Sequence, residues 1–292
     1  FSPPRPSCGL PHSSLTRQPQ GREQRAPARS DANPFREHQP TMSRRYDSHT
    51  TIFSPQGRLF QVEYAMEAIS KAGSAVGFLA SDGVLLAAEK RITSKLLDIR
   101  GLAEKMYKID DHVAVAVAGI TADANILVNY ARLAAQRYRS TYQEPIPIEQ
   151  LLHRICDLKQ SYTQFGGLRP FGVSFLVVGW DEYFGFQLFR SEPSGNYGGW
   201  KAAAIGNNSP NADSVLKSDY KIDGTDMKMA KKLAVKVLAK TLDTTAPSPD
   251  KLEFSSITLV DGKPVYKVFT KDEIKAVLKD SGMEKKEKSG DI

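Results

Sequence analysis

Cysteine is scarce in this sequence, and long apolar runs are missing. Only Cys8 and Cys156 occur among 292 residues, and neither belongs to a C-x-x-C pair or to a framework of paired cysteines. This pattern excludes a disulfide-stapled secreted domain and a cysteine-based zinc site, and it suits a reducing compartment. No apolar run approaches the roughly 18 residues of a membrane-spanning helix. We therefore expect no membrane-spanning segment.

Outside residues 1–41, the sequence also has little excess charge of either sign. The net charge is +7. Residues 1–41 hold six arginines against three acidic residues, so they carry three of the seven charges and leave four for the rest. Nucleic-acid binding usually shows as a clustered basic face. Net charge is therefore the only feature that suggests an RNA-binding module, and this hypothesis stays as an alternative.

Residues 1–41 lack any apolar period and contain eight prolines. Such a segment cannot bury enough surface to offset the entropy of ordering, so we expect a disordered extension. Its arginine-rich, acid-poor composition resembles a mitochondrial transit peptide only faintly, because the prolines oppose the amphipathic helix that a transit peptide needs. The sequence begins with Phe1, and Met42 is followed by Ser43. We expect Met42 to be the natural start.

From Gly57 onward the sequence reads as a dense series of elements. A first helix is predicted over 58–71, with Leu59, Val62, Met66 and Ile69 at helical spacing. Asp-Gly pairs between apolar runs predict hairpins at 82–83 and 261–262. The predicted strands are 75–80, 84–89, 105–109, 113–118, 172–180, 183–190, about 201–205, 254–260 and 264–269.

A long helix is predicted from an N-cap at Thr121 to about Tyr142. Its apolar stripe consists of Ile126, Leu127, Tyr130, Leu133, Ala134 and Tyr138. Prolines then separate it from a second helix over 148–165, which the glycines at 166–167 close. Further helices are predicted near 210–220 and 225–242 and from about 271, and residues 281–292 read as a charged mobile tail.

The order of these elements favours an α+β fold. Strands come in hairpins and are not separated one by one by helices, which argues against a doubly wound parallel sheet. Two stacked antiparallel sheets between helix layers would bury both pairs of helices.

The stretch YDSHTTIFSPQGRLFQVEYA at 46–65 is the most specific motif. This stretch of about twenty residues closely resembles, without a gap, the signature that opens proteasome α-type subunits. The resemblance continues through 82–91, 119–124 and 162–174, and it covers roughly residues 42–280. Residues 43–48, Ser-Arg-Arg-Tyr-Asp-Ser, most resemble one α type, which takes the third position in its ring.

This resemblance implies a four-layer αββα sandwich of the N-terminal-nucleophile hydrolase type. In the family, seven different α subunits form each outer ring of the 20S core particle, and two inner rings of β subunits carry the proteolysis. The implied organisation is an N-terminal gate segment at 42–57 and a proteasome α-type domain at 58–280. The implied role is ring assembly, substrate-entry gating and docking of activator caps in ubiquitin-dependent protein degradation.

The place of the catalytic nucleophile falls on a glycine. Hydrolases of this type use a Thr, Ser or Cys as the first residue, because its free α-amine acts as the base. Aligning on Gly77, Asp82 and Glu89 puts that position at Gly73, which has no hydroxyl. Ser74 is the nearest hydroxyl, but it is internal. We therefore expect no catalytic residue, no cofactor and no metal; the alternative is a hydrolase that processes itself before Ser74.

Lys105 has two interpretations. It is either a solvated lysine at a strand edge or, as the resemblance implies, the lysine of a pocket between neighbouring α subunits. There it would pair with the C-terminal carboxylate of an activator tail, which a flexible point charge suits.

Tyr46, Asp47, Pro55 and Tyr64 match the gate residues of the family. Pro55 restricts the backbone at a reverse turn, and moving that turn would shift the tail that carries Tyr46 and Asp47. Tyr64 has simple helix packing as its alternative. The family's Tyr-Asp-Arg reads Tyr-Asp-Ser here, so the arginine's contact with a neighbouring tail is lost or replaced at Ser48.

The partners that the resemblance implies are neighbouring α-type subunits, β-type subunits, and the regulatory-particle ATPases and other activator caps. The implied location is cytoplasm and nucleus.

The remaining histidines and lysines have simpler interpretations. The scattered His49, His112 and His153 lack metal-ligand spacing. A row of lysines at helical spacing predicts a solvated helix face: Lys228, Lys231, Lys232, Lys236 and Lys240.

Overall fold

A computed structural model describes residues 51–90, 96, 105–221, 224–241 and 248–282. The predicted extension at 1–41, most of the gate segment and residues 283–292 of the tail lie outside these ranges. The helices are α1 (Phe60–Ser70), α2 (Thr121–Tyr142), α3 (Ile148–Gln164), α4 (Ser209–Asp219), α5 (Met227–Thr241) and α6 (Lys271–Asp280), with a 3-10 turn at Pro249–Lys251. The strands are β1 (Ala75–Ala80), β2 (Gly83–Glu89), β3 (Met106–Asp110), β4 (Val113–Gly119), β5 (Val173–Asp181), β6 (Gly185–Ser191), β7 (Tyr197–Gly199), β8 (Ala202–Ile205), β9 (Leu252–Val260) and β10 (Lys263–Val268).

The strands form two five-stranded sheets. One has the order β10-β9-β2-β1-β8 and the other the order β3-β4-β5-β6-β7. Every neighbouring pair is antiparallel. The hairpin between β1 and β2 pairs Ala80 with Gly83, so the predicted Asp-Gly turn is confirmed.

Three apolar clusters divide the molecule into four layers. The first lies between the sheets and includes Leu86, Ala116 and Leu176. The second packs α2 and α3 against the sheet that contains β4 and β5. The third packs α4, α5 and α6 against the sheet that contains β1 and β2. Because both sheets are covered on both faces, their central strands are continuous apolar runs. The predicted αββα sandwich of two antiparallel sheets is confirmed.

Three sequence predictions about local structure were wrong. The N-cap of α2 is Ile120, whose side chain makes no capping hydrogen bond, and Thr121 is already helical. Ile126 and Leu133 are 56% and 55% exposed, because the apolar positions of α2 outnumber those that its sheet can cover. The short strand β7 was missed because its Tyr-Gly-Gly sequence has little strand propensity.

Candidate functional site

Gly73, the position at which the sequence predicts the place of the nucleophile, lies between the end of α1 and the start of β1. A Cβ atom on this residue would overlap the ammonium group of Lys105 and lie 3.3 Å from Glu89 Oε2. In this arrangement the ammonium group of Lys105 occupies the space that a side chain at position 73 would need, so a residue with a Cβ atom would require the flexible end of Lys105 to shift.

Ser74 is tied into the structure through three groups. Its hydroxyl donates to the carbonyl of Asn207 at 2.7 Å. Its N–H donates to Glu89 Oε2 at 3.3 Å, and its carbonyl accepts from the N–H of Glu89 at 2.9 Å. The residue is 2% exposed. An internal, buried serine with a peptide nitrogen lacks the free amine that the chemistry requires.

Lys105 lines a small cavity beside Gly73. The cavity has a volume of about 230 Å³ and is lined by Ala72, Gly73, Lys105, Tyr107, Val117, Gly119 and Thr121. Lys105 precedes β3, and its carbonyl accepts from the N–H of Val117 at 2.9 Å, which fixes its backbone next to β4. The lysine is half-buried and not a fully solvated strand-edge residue.

The start of α2 also faces this cavity, through Thr121. The first N–H groups of a helix have no partner within the helix and carry partial positive charge. An ammonium group and a helix N-terminus on one cavity together favour a bound carboxylate. The ammonium nitrogen of Lys105 is itself buried, so a carboxylate would reach it only from within the cavity, and the role that the family resemblance assigns to Lys105 stays a prediction.

An ion pair between the exposed Arg169 and the buried carboxylate of Asp123 fixes the entry to α2. Arg169 donates to both oxygens of Asp123, at 2.6 and 2.8 Å, and the N–H of Gly172 donates to Asp123 Oδ2 at 3.0 Å. The hydrogen bonds from Arg169 hold the pKa of Asp123 below its usual value. Gly119, at a φ of +134°, packs against the Gly172 carbonyl so closely that a Cβ atom would overlap it. Arg169 lies within the stretch 162–174 that resembles the family, but the sequence does not show its partner, which is 46 residues away.

The predicted reverse turn at Pro55 is present. The N–H of Gly57 donates to the carbonyl of Ser54 at 2.8 Å, and Pro55 takes the second position of the turn. Ser54 is 4% exposed and also accepts from the N–H of Arg58 at 3.1 Å through its hydroxyl. The turn is therefore anchored on its inner side while Pro55 is exposed.

Tyr64 is not a packed core residue of α1. It is 47% exposed, and its ring stacks loosely on Phe60 with 6.4 Å between centroids. Its hydroxyl makes no hydrogen bond within the residues that the structure describes, so it is available to the preceding segment. Tyr46 and Asp47, the other two predicted gate residues, lie outside the described residues. The gate assignment therefore stays a prediction.

The histidines that the structure describes have structural surroundings. His112 Nε2 lies 2.7 Å from the carbonyl of Ile146, and His153 Nε2 lies 2.7 Å from the hydroxyl of Tyr197. Across the described ranges, no three His, Cys, Asp or Glu side chains cluster as metal ligands would. No helix there has the length and apolar character to cross a membrane.

Two family models match this chain. The one described as "Proteasome subunit" matches residues 69–257. The other describes the N-terminal signature of A-type proteasome subunits and matches residues 46–68. The second match covers the motif from which the resemblance was inferred, so that inference is confirmed.

Curated relatives agree over most of the sequence. The proteasome alpha type-4 protein of Spinacia oleracea is 62% identical over 243 residues, which cover 83% of this chain and 97% of the relative. The proteasome alpha type-4-A protein of Arabidopsis thaliana is 61% identical over the same shares. The alpha type-4 protein of Petunia hybrida is 61% identical over 242 residues, again 83% of this chain and 97% of the relative. Type 4 is the α type that residues 43–48 resembled, so this finer prediction is also confirmed.

Proposed function

Since the chain belongs to the proteasome subunit family, we propose that it is a non-catalytic α-ring subunit of the 20S core particle. In this role it helps to build the outer ring, controls substrate entry and receives activator caps in ubiquitin-dependent protein degradation. Its similarity to α type-4 subunits along 83% of the sequence is the observation that carries the proposal.

The lack of catalysis is supported by the contacts around Gly73. The Lys105 ammonium fills the place of a nucleophilic side chain, and the hydroxyl of Ser74 is already bonded to Asn207. A hydrolase that processes itself before Ser74 would need the free amine of that residue. Nothing in the contacts of Ser74 favours that alternative.

The docking role is supported by the cavity at Lys105. An activator's C-terminal carboxylate would meet the lysine ammonium and the first turn of α2 together.

The gate role is supported by the anchored turn at Ser54–Gly57 and by the exposed Tyr64. In the proposed mechanism, displacement of the turn moves the preceding segment with Tyr46 and Asp47.

The proposed partners are neighbouring α-type subunits, β-type subunits, and regulatory-particle ATPases or other activator caps. The proposed location is cytoplasm and nucleus, where such particles work. The many exposed apolar side chains, such as Phe165 at 65% and Phe184 at 72%, are consistent with surfaces that neighbouring subunits would cover.

Truncation of the gate segment tests the gating part of the proposal. Core particles that contain this chain without residues 43–53 should hydrolyse small fluorogenic peptides faster than wild-type particles, because part of the pore closure is removed. Particles lacking residues 283–292 of the same chain serve as the matched control and should keep the wild-type rate. An unchanged rate in the first truncation would contradict the gate role.

Substitution of Lys105 tests the docking part. Lys105→Ala should weaken stimulation by an activator whose tail uses this pocket, since the carboxylate loses its charged partner. Lys108→Ala removes a lysine of the adjoining strand, which is exposed and paired with Asp111 at 2.7 Å, and should have no effect. Equal activator binding by the Lys105→Ala and wild-type particles would remove this assignment.

A further inference from the structure

Helix α5 presents a row of lysines to solvent. Its inner face buries Ala230, Ala234, Val237 and Leu238 against the neighbouring sheet and helices. The exposed lysines at every fourth position, termed here the lysine row, are Lys228, Lys232, Lys236 and Lys240.

Within the described ranges, the charge of this row is balanced only in part. α5 contains no acidic residue. Asp219 pairs with Lys236 at 2.7 Å, and its pKa is held below its usual value by that hydrogen bond and, more weakly, by the charge of Lys240. Among the residues that the structure describes, Lys228 and Lys232 make no ion pair.

Other lysines of the same chain do have carboxylate partners. Lys71 pairs with Glu67 at 3.0 Å, Lys271 with Asp250 at 2.9 Å, and Lys275 with Asp272 at 3.4 Å. Like charges four residues apart on a helix are destabilising. The lysine row therefore keeps a repulsion that an acidic partner would relieve.

The spacing of the row indicates the form of that partner. Residues four apart on a helix are about 6 Å apart along its axis, and the whole row spans about 18 Å. Alternate side chains of an extended chain are about 6.6 Å apart. Carboxylates at alternate positions of an extended segment would thus follow the lysines almost one to one.

The residue types favour a protein partner over RNA. α5 contains neither arginine nor an aromatic residue. Single-stranded nucleic acid is usually held by aromatic stacking and by arginine beside the basic charge. Lysine supplies point charges without the bidentate fork that suits phosphate.

We propose that the lysine row on α5 is a docking surface for an extended acidic segment of a partner protein, with Asp or Glu at alternate positions. This surface is formed by α5, whereas the Lys105 cavity is formed by the start of α2 and by β3 and β4. It adds a second contact to the proposed α-ring role, on which it rests, without replacing any part of that role.

Binding of a defined peptide to assembled core particles tests the proposal. The probe is a fluorescent peptide of alternating Glu and Ser, about ten residues long and thus able to cover the row at about 3.3 Å per residue. Changing all four lysines of the row to Gln should weaken binding roughly fivefold or more, because several exposed ion pairs are lost. Binding to wild-type particles should weaken as salt is added.

The matched control changes four exposed lysines elsewhere to Gln, with the same change in net charge: Lys263, Lys271, Lys275 and Lys279. Its peptide affinity should stay within about twofold of the wild type. The double variant Lys228→Gln with Lys232→Gln leaves the pair between Lys236 and Asp219 intact. It should give an intermediate loss, and it keeps the test decisive if the fourfold variant fails to assemble.

Three results would overturn the proposal. They are an equal loss in the row and control variants, no peptide binding to wild-type particles, and tighter binding of a single-stranded RNA of similar length than of the peptide. Incorporation of the wild-type chain into particles reports separately on the α-ring assignment. A failure of the docking surface is therefore distinguishable from a failure of the proposed function.

Discussion

Lys159 lies in surroundings that are unusual for a lysine. It is fully buried within α3. Its ammonium donates to the carbonyl of Val173 at 3.1 Å and to the hydroxyl of Ser191 at 2.9 Å, and it lies 4.7 Å from the centre of the Phe175 ring. Burial lowers its pKa to about 8. The side chain thus joins α3 to β5 and β6 through an amine that makes no ion pair within the described residues.

Replacing this lysine should change how stability depends on pH. The folded pKa of about 8 lies below the ordinary value of 10.5, so between these values the unfolded chain binds more protons. The contribution of Lys159 to the free energy of unfolding therefore rises with pH across this window. Relative to Lys159→Met, wild-type protein should gain up to about 3 kcal/mol, measured by urea unfolding at a series of pH values.

The exposed Lys275→Met variant is the control, and its difference from the wild type should stay flat across the same pH range. A flat difference for Lys159→Met as well would show that the buried amine is not the titrating group.

The sequence indicates in part that Lys159 is buried, but it does not show what permits the burial. The residue falls on the apolar stripe of α3, four positions after Ile155, which is a buried site by helical periodicity. Lysine is rarely buried without a partner, so composition favours exposure. The acceptors that permit burial lie 14 and 32 residues away and become visible only in the fold. In the same way, the sequence predicted that Gly73 has no nucleophilic hydroxyl. It did not show that the Lys105 ammonium lies where a side chain at position 73 would be.

At the scale of elements, the loop before β5 is held against the start of α2 by one ion pair. Asp123 is 5% exposed and accepts from Arg169 and from the N–H of Gly172. The Gly172 carbonyl in turn accepts from the N–H of Ile120 at 3.0 Å. These contacts position the first turn of α2, which lines the Lys105 cavity.

Loss of this pair should cost stability. Asp123→Asn removes the charge that Arg169 meets and should lower the free energy of unfolding by roughly 1–3 kcal/mol, measured by urea unfolding at neutral pH. Because Arg169 lowers the pKa of Asp123, the wild-type contribution is present above the ordinary value of 3.8 and is lost as pH falls through the lower folded pKa. The difference between the proteins should therefore shrink in acid.

Asp272→Asn provides the comparison, because the pair that it breaks with Lys275 is exposed and 3.4 Å long. That variant should lose at most about 0.5 kcal/mol. A loss of the same size in both variants would mean that burial of Asp123 adds nothing.

Most elements could be predicted because their signals are local. Asp-Gly turns marked the β1–β2 and β9–β10 hairpins, and α2 ends at the residue expected from its pattern. The cap of α2 could not be predicted, since Gly119 and its packing against Gly172 decide how the chain enters the helix. The exposure of Ile126 and Leu133 was hidden for a similar reason, because a sequence does not show how much of a helix its sheet covers.

For the whole molecule, two stacked sheets with helices outside form a hydrolase-type architecture in which the predicted place of the nucleophile is a glycine. The fold class could be predicted from the order of hairpins and helix pairs. The assignment to the α type depended on the resemblance of residues 46–65 to the family signature, because hydrophobic patterning alone does not indicate a family. Helix α1 ends at Ser70, three residues before Gly73, so the chain continues through this position as a helix and a short connection. These features favour a role in structure and control.

The proposed α-ring role requires that this chain perform no proteolysis within its particle. The most direct measurement is the intact mass of the chain after assembled core particles are treated with a covalent inhibitor of threonine proteases. We expect an unmodified polypeptide that begins upstream of Gly73, with the adduct found on β subunits. An adduct on this chain, or a mature N-terminus at Ser74, would contradict it.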